Sequence, residues 1–280
     1  PNTENTNHLG IIGNVYGGSA FGAVNATKGA NYASNNADIS ATDGKSTAVN
    51  IYGGTITDNV YGGGLGQTTP SNIAAQSFGN VTVTIEGGTV GKSVYGGSNA
   101  NGVLKKKSTI TITGGTVGTA SDPISDAVFG GGFGEPTLVE GDVEVNIGTK
   151  SNDATPVYTG NATINGNIYG GGALGNTNVD TSGNHTTGTK TDVNLYKGTI
   201  NGNVFGGGLG RQAAENVIAI PTIVGGDVNV LLDGAQLTST YTTGENPTPI
   251  TGQIFGCNNL NGTPKGHVKV WVKRTVGGEK

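Results

Sequence analysis

A hexapeptide recurs seven times along the chain and restricts the possible folds more than any other feature. It reads NVYGGS from Asn14, NVYGGG from Asn59, SVYGGS from Ser93, AVFGGG from Ala127, NIYGGG from Asn167, NVFGGG from Asn203 and QIFGCN from Gln253. Every copy sets Val or Ile before Tyr or Phe, and Gly after it. Successive aromatics lie 34 to 50 residues apart. A repeat of that length, with a constant core and variable inserts, marks a stacked array in which no unit buries its apolar face alone.

The repeat is longer than the hexapeptide. Ahead of each Val or Ile stands another aliphatic: Ile11, Ile56, Val90, Ile124, Ile164, Ile200 and Ile250. The residues between are turn-formers, as in Asn165-Gly166-Asn167. A third element alternates strictly, at residues 81–85, 109–113, 143–147 and 268–272, with weaker versions at 48–52, 192–196 and 228–232. Period-2 alternation gives a strand with one buried and one wet face. The reading is an all-β, right-handed parallel β-helix of about seven coils, three short strands each. Variable loops are inserted mainly at 65–78 and 209–224 after the glycines, and at 118–122, 148–160 and 238–248. IYGG at 51–54 resembles VYGG at 60–63, which leaves smaller coils as an alternative; the consistent difference between alternating and aromatic strands favours faces of one coil.

Packing expectations follow. Val15, Val60, Val94, Val128, Ile168, Val204 and Ile254 form an inward column. Tyr16, Tyr61, Tyr95, Phe129, Tyr169, Phe205 and Phe255 form a second column, on the opposite face of the same strands. The three Phe members suit burial under Leu65, Phe133, Leu174 and Leu209, although an exposed file of rings would stack on a glycan.

Composition narrows the class. Gly is 53 of 280 residues, yet there is no Gly-X-Y period and Pro is only 9, which excludes collagen. The net charge of −4 and a single basic run, Lys105-Lys106-Lys107, argue against nucleic acid as a partner. No apolar run is long enough to insert in a membrane. Cys257 replaces a repeat Gly and reads as a small buried thiol. Residues 1–10 read as a polar tail, residues 11–280 as one β-helix domain, and the start at Pro1 as that of a fragment of a longer chain.

The Gly-Gly-Thr-Ile/Val step, short turn and aromatic-glycine hexapeptide resemble the glycine-rich repeats of bacterial surface and adhesin-like proteins, in the pectin-lyase-like group of right-handed β-helices. The similarity runs from Ile11 to Val272. It implies an extracellular or cell-surface location, and a host-cell or matrix glycan or protein as partner. No active-site motif of β-helix polysaccharide enzymes is present to carry over.

Candidate chemistry is sparse. Aligning Ile147 with Leu195 stacks Glu144 beside Asp192 on the outer face, one strand spacing of about 4.8 Å apart. That is near the carboxylate separation of retaining glycosidases, roughly 5–5.5 Å, and also suits a cation; a solvated outer face is the plain alternative. Tyr196 and Trp271, expected as exposed rings, complete the candidate ligand-contacting set. His8, His185 and His267 share no spacing. Thr82, Thr84, Thr109 and Thr111 make a two-coil threonine patch that breaks at Glu144 and Asn146. No nucleophile elbow, zinc motif, phosphate loop or cofactor fingerprint occurs. The leading expectation is a structural or adhesive rod that displays loops such as 65–78, 173–190 and 209–224; a polysaccharide-binding or polysaccharide-cleaving β-helix is the alternative.

Overall fold

The computed structural model describes residues 11–29, 38–119, 126–238 and 252–275. It is a right-handed parallel β-helix of seven coils. Each coil contributes one strand to each of four seven-stranded parallel sheets. Sheet I holds the Thr-Ile/Val strands (Thr55–Ile56 and its equivalents) and sheet II the aromatic strands (Val60–Tyr61). Sheet III holds strands such as Thr137–Val139, and sheet IV the long alternating strands, such as Val143–Ile147.

The alternation of sheet IV sets its register. Val83, Ile110, Val145 and Val193 succeed one another in register and point inward. They join the aliphatic column Val60, Val94, Val128, Ile168 and Val204, and Val90, Val117, Ile164 and Ile200 of sheet I, in one buried cluster. Like stacks on like, so every coil completes its neighbour's core.

The aromatic column points away from this core, yet its five middle rings are also buried, in a second compartment. Tyr61, Tyr95, Phe129, Tyr169 and Phe205 form their own cluster with Ala127 and Ala173. Seven rings from Tyr16 to Phe255 stack nearly parallel, with centroids 4.6 to 5.0 Å apart. The cover is a ladder of parallel bridges running through Asn99, Phe133, Ala173, Leu209 and Asn259. Neighbouring residues on opposite strand faces are thus both buried because the chain folds back over the outer one. Phe133 and Leu209 serve as expected, while Ala173, not Leu174, takes the corresponding position in its coil.

The repeat glycines answer to crowding. A Cβ on Gly62 would sit 2.6 Å from the Gly96 carbonyl oxygen and 2.6 Å from Val81 Cγ1. Sheet II ends pressed against the start of sheet IV, and only hydrogen fits between.

Several expectations need correction. A coil has four strands: the segments taken as inserts at 65–78 and 209–224 contain Ala75–Ser77 and Thr222–Val224, strands of sheet III. Ile124 and Ile250 lie outside the described residues, and their column positions are filled by Val117 and Leu237. Ile12, not Ile11, is the partner of Ile56. Cys257 is exposed, because it lies in the last coil and no described residue stacks on it. The polar tail, residues 1–10, lies outside the described residues.

Candidate functional site

The outer face of sheet IV gathers most of the polar chemistry that the repeat aligns. Two outward columns run along it. One is Ala48, Thr82, Thr109, Glu144, Asp192, Asn229 and Lys269; the other is Asn50, Thr84, Thr111, Asn146, Asn194, Leu231 and Trp271.

Glu144 and Asp192 are register partners, as the alignment anticipated. Each carries its own cation. Lys107 Nζ binds Glu144 Oε2, and Lys190 Nζ lies 2.6 Å from Asp192 Oδ2. Amides supply the rest: Asn146 donates to Glu144 at 3.1 Å, Asn229 to Asp192 at 2.9 Å, and Asn194 to Asn146 at 2.9 Å. Burial pushes the Glu144 carboxyl up, but the bonds from Lys107 and Asn146 and the charges of Lys107 and Lys190 outweigh it. The net direction is down, so Glu144 stays ionised near neutrality. A general acid of the glycosidase kind requires the opposite shift. The face is therefore a neutralised polar lattice, rich in amide and hydroxyl groups repeating at the coil spacing.

Tyr196, just beyond the strand that carries Asp192, is half-buried and so departs from the exposed ring expected. The covering element is a hairpin of Thr149–Lys150 against Tyr158–Thr159. Tyr158 tilts onto Tyr196 with centroids 6.4 Å apart. Burial raises the Tyr196 phenol, with the Lys150 charge opposing. The hairpin is held by Asp233, itself 4% exposed. Asp233 Oδ2 accepts from Lys150 Nζ at 2.9 Å and from the Tyr158 hydroxyl at 3.0 Å. Arg274 stacks over the Tyr158 ring at 3.8 Å and donates to the Asp233 carbonyl at 2.8 Å. Burial pushes the Asp233 carboxyl up, and Lys150, Tyr158 and Arg274 together bring it below the ordinary range.

Trp271 is 56% exposed and lies in the last coil, beside Leu231. The structure thus joins Glu144 to Asp192, leaves Tyr196 close enough for both carboxylates to help raise its phenol, and places Trp271 in the last coil. Sequence reasoning missed Lys107, Lys190, Asn146 and Asn229; extending the Glu144–Asp192 alignment by one coil and two positions would have found the two amides. Among the described residues no group of three or more His, Cys, Asp or Glu side chains is placed to hold a metal ion. Among them, too, no helix is long and apolar enough to cross a membrane.

The architecture defines a β-solenoid repeat protein with one amide- and hydroxyl-rich sheet face. Comparison with protein-family models, with curated proteins and with solved structures finds no match.

Proposed function

We propose that this chain is a structural, adhesive β-solenoid segment of a secreted or cell-surface bacterial protein, which holds loops out to a host-cell or matrix glycan or protein. One observation carries the reading: the inserts close by short antiparallel pairings at the corners while the coils stay in register beneath them. Gln67 pairs with Ile73, Val179 with His185, and Arg211 with Ile220, each pair antiparallel. The parallel registers of sheet IV continue unshifted from Asn80–Ile85 through Lys190–Leu195. Such a rod tolerates change at its corners because loop length scarcely affects the stacked core.

The polysaccharide-cleaving alternative draws on the adjacency of Glu144 and Asp192. Their lysine partners and the downward shift of Glu144 favour a binding face over a cleaving one. The test replaces residues 211–220 and 67–73 by two-residue turns and screens the intact and trimmed chains on glycan and matrix-protein arrays. Binding by the intact chain, lost on trimming with the circular dichroism unchanged, supports display. Polysaccharide cleavage abolished by Glu144→Gln overturns it.

A further inference from the structure

We propose that the corner between sheets III and IV, in the first three coils, is a binding site for an acidic sugar residue. The carboxylate or sulfate ester lies between Lys45 and Lys106, and the sugar hydroxyls meet Asp43 and Asn80. The cavity at this corner has a volume of about 390 Å³, within the roughly 300–1,000 Å³ of small-molecule sites. It lies on the flank of the rod, its walls drawn from residues 42–45 of one coil, residues 78–80 of the next and Lys106 of the third.

The pairing of the lysines singles this cavity out. Eight lysines fall between residues 38 and 238. Lys92, Lys105, Lys107, Lys150 and Lys190 are ion-paired, and Lys197 donates to the Tyr158 carbonyl. The two whose side chains have no partner among the described residues, Lys45 and Lys106, line the same cavity. Residues 30–37, outside the described set, contain no Asp or Glu that could pair with them. Two cations on facing walls of a concavity attract an anion more strongly than the same charges on an open surface.

The walls are built before any ligand arrives. The Thr42 N–H donates to the Asn25 carbonyl at 2.9 Å, the Lys45 N–H donates to the Thr42 carbonyl at 3.3 Å, and Gly44 supplies the positive φ of 67° that closes this turn. A Cβ on Gly79 would sit 2.2 Å from the Lys45 carbonyl oxygen, so glycine lets the second coil press against the turn of the first. Asn80 Oδ1 accepts from the Lys107 N–H at 3.3 Å, which fixes the amide and leaves its two N–H donors without a partner among the described residues.

The lining selects the class of ligand. Asp43 sets one negative charge beside two positive ones, so the cavity matches a single anionic charge; a phosphate dianion or a nucleic-acid backbone finds too little positive charge here. Asp43 accepts and Asn80 donates, which is the pair of roles that sugar hydroxyls require. Phe78, 7% exposed, gives the floor one apolar contact for the C–H face of a sugar ring. The inference deepens the glycan side of the proposed function and moves it from the loops to the rod itself.

Isothermal titration calorimetry of the full chain at low salt tests this. The probes are a glucuronate-containing disaccharide, its methyl ester, a neutral disaccharide with and without one sulfate ester, and sodium sulfate. Saturable binding of the glucuronate or the sulfated sugar is expected, and which of the two binds identifies the anionic group. Binding should weaken with added salt and fall at least about tenfold for the uncharged counterpart. Lys45→Gln and Lys106→Gln, both at exposed positions, should each weaken it roughly tenfold with the circular dichroism unchanged. Lys197→Gln, outside the cavity, should leave it as it is. Trimming residues 67–73 and 211–220 should also leave this titration unchanged, so the display of loops and the site on the rod fail separately. No saturable binding of either acidic sugar, equal binding of the uncharged counterpart, an equal loss in Lys197→Gln, or tighter binding of sodium sulfate than of either sugar would each overturn the proposal.

Discussion

The side-chain oxygen of Asn167 accepts the backbone N–H of Asn203, its equivalent one coil later, at 2.8 Å. The same bond recurs from Gln253 to Asn203 at 2.9 Å, from Asn59 to Asn14 at 3.1 Å and from Ser93 to Asn59 at 3.0 Å. Ser93 Oγ continues it, accepting from Ala127 at 2.9 Å. The first residue of the hexapeptide is therefore Asn or Ser because the corner into sheet II needs a side-chain acceptor for the coil above. Ala127 interrupts the series. Asn203→Ala should cost about 1 kcal/mol, and Ala127→Ser should stabilise by up to about 1 kcal/mol, both read by urea unfolding. An Ala127→Ser variant no more stable than its parent would count against the ladder.

The ring file makes a prediction about alkaline pH. Burial raises the phenols of Tyr61 and Tyr95 far above their ordinary range, reinforced at Tyr61 by Tyr95, Tyr16 and Asp58. An acid whose folded value is raised stabilises fully below its unfolded value, near 10 for Tyr, and that stability declines as pH rises beyond it. Unfolding curves should therefore soften above about pH 10. Spectrophotometric titration should show these two tyrosines ionising only on unfolding; early, reversible ionisation would contradict their burial.

Removing a ring acts on the same file. Phe129 is 1% exposed between Tyr95 and Tyr169. Phe129→Ala should cost about 3–5 kcal/mol and reduce the near-ultraviolet dichroism of the stack. Phe129→Tyr should be tolerated far better where the new hydroxyl meets a donor, as the Tyr169 hydroxyl does from Asn167 and Asn259, each at 3.0 Å. Equal cost for the two variants would show that stacking is not what the position requires.

Asp233 ties a corner hairpin to the rod, and its removal should be felt there first. Asp233→Asn should cost roughly 2 kcal/mol and raise amide exchange at Thr149, Lys150, Tyr158 and Thr159. Because the Asp233 carboxyl is depressed, its contribution is present above the ordinary Asp value and is lost as pH falls through the folded one. Hairpin protection should thus fade only in acid below about pH 4. Protection unchanged in the variant would show that other contacts hold the hairpin.

What could be read from the chain was whatever repeats. The column from Val60 to Val204 and the inward residues of sheet IV were legible because identical side chains recur at identical offsets. Burial of the aromatic file was legible from its Phe members, though not the ladder that covers it. Sheet III was illegible for a physical reason: Ala75–Ser77, Gly102–Leu104 and Asn176–Thr177 are two or three residues long and share no alternation. Their strand state comes from neighbours above and below, not from local preference. Glu144 beside Asp192 followed from alignment, since in-register stacking turns equal offsets into contacts. The cover over Tyr196 comes from the 148–160 insert, and no repeat logic governs an insert.

The account stands on one coil per strand spacing, and a pair of spin labels measures that most directly. Ala48 and Asn229 occupy one outward column of sheet IV, five register steps apart. Labels at these positions should give a narrow electron–electron distance distribution centred near roughly 24 Å, five steps of about 4.8 Å. A broad distribution, or one centred beyond about 35 Å, would contradict seven in-register coils spaced one strand apart.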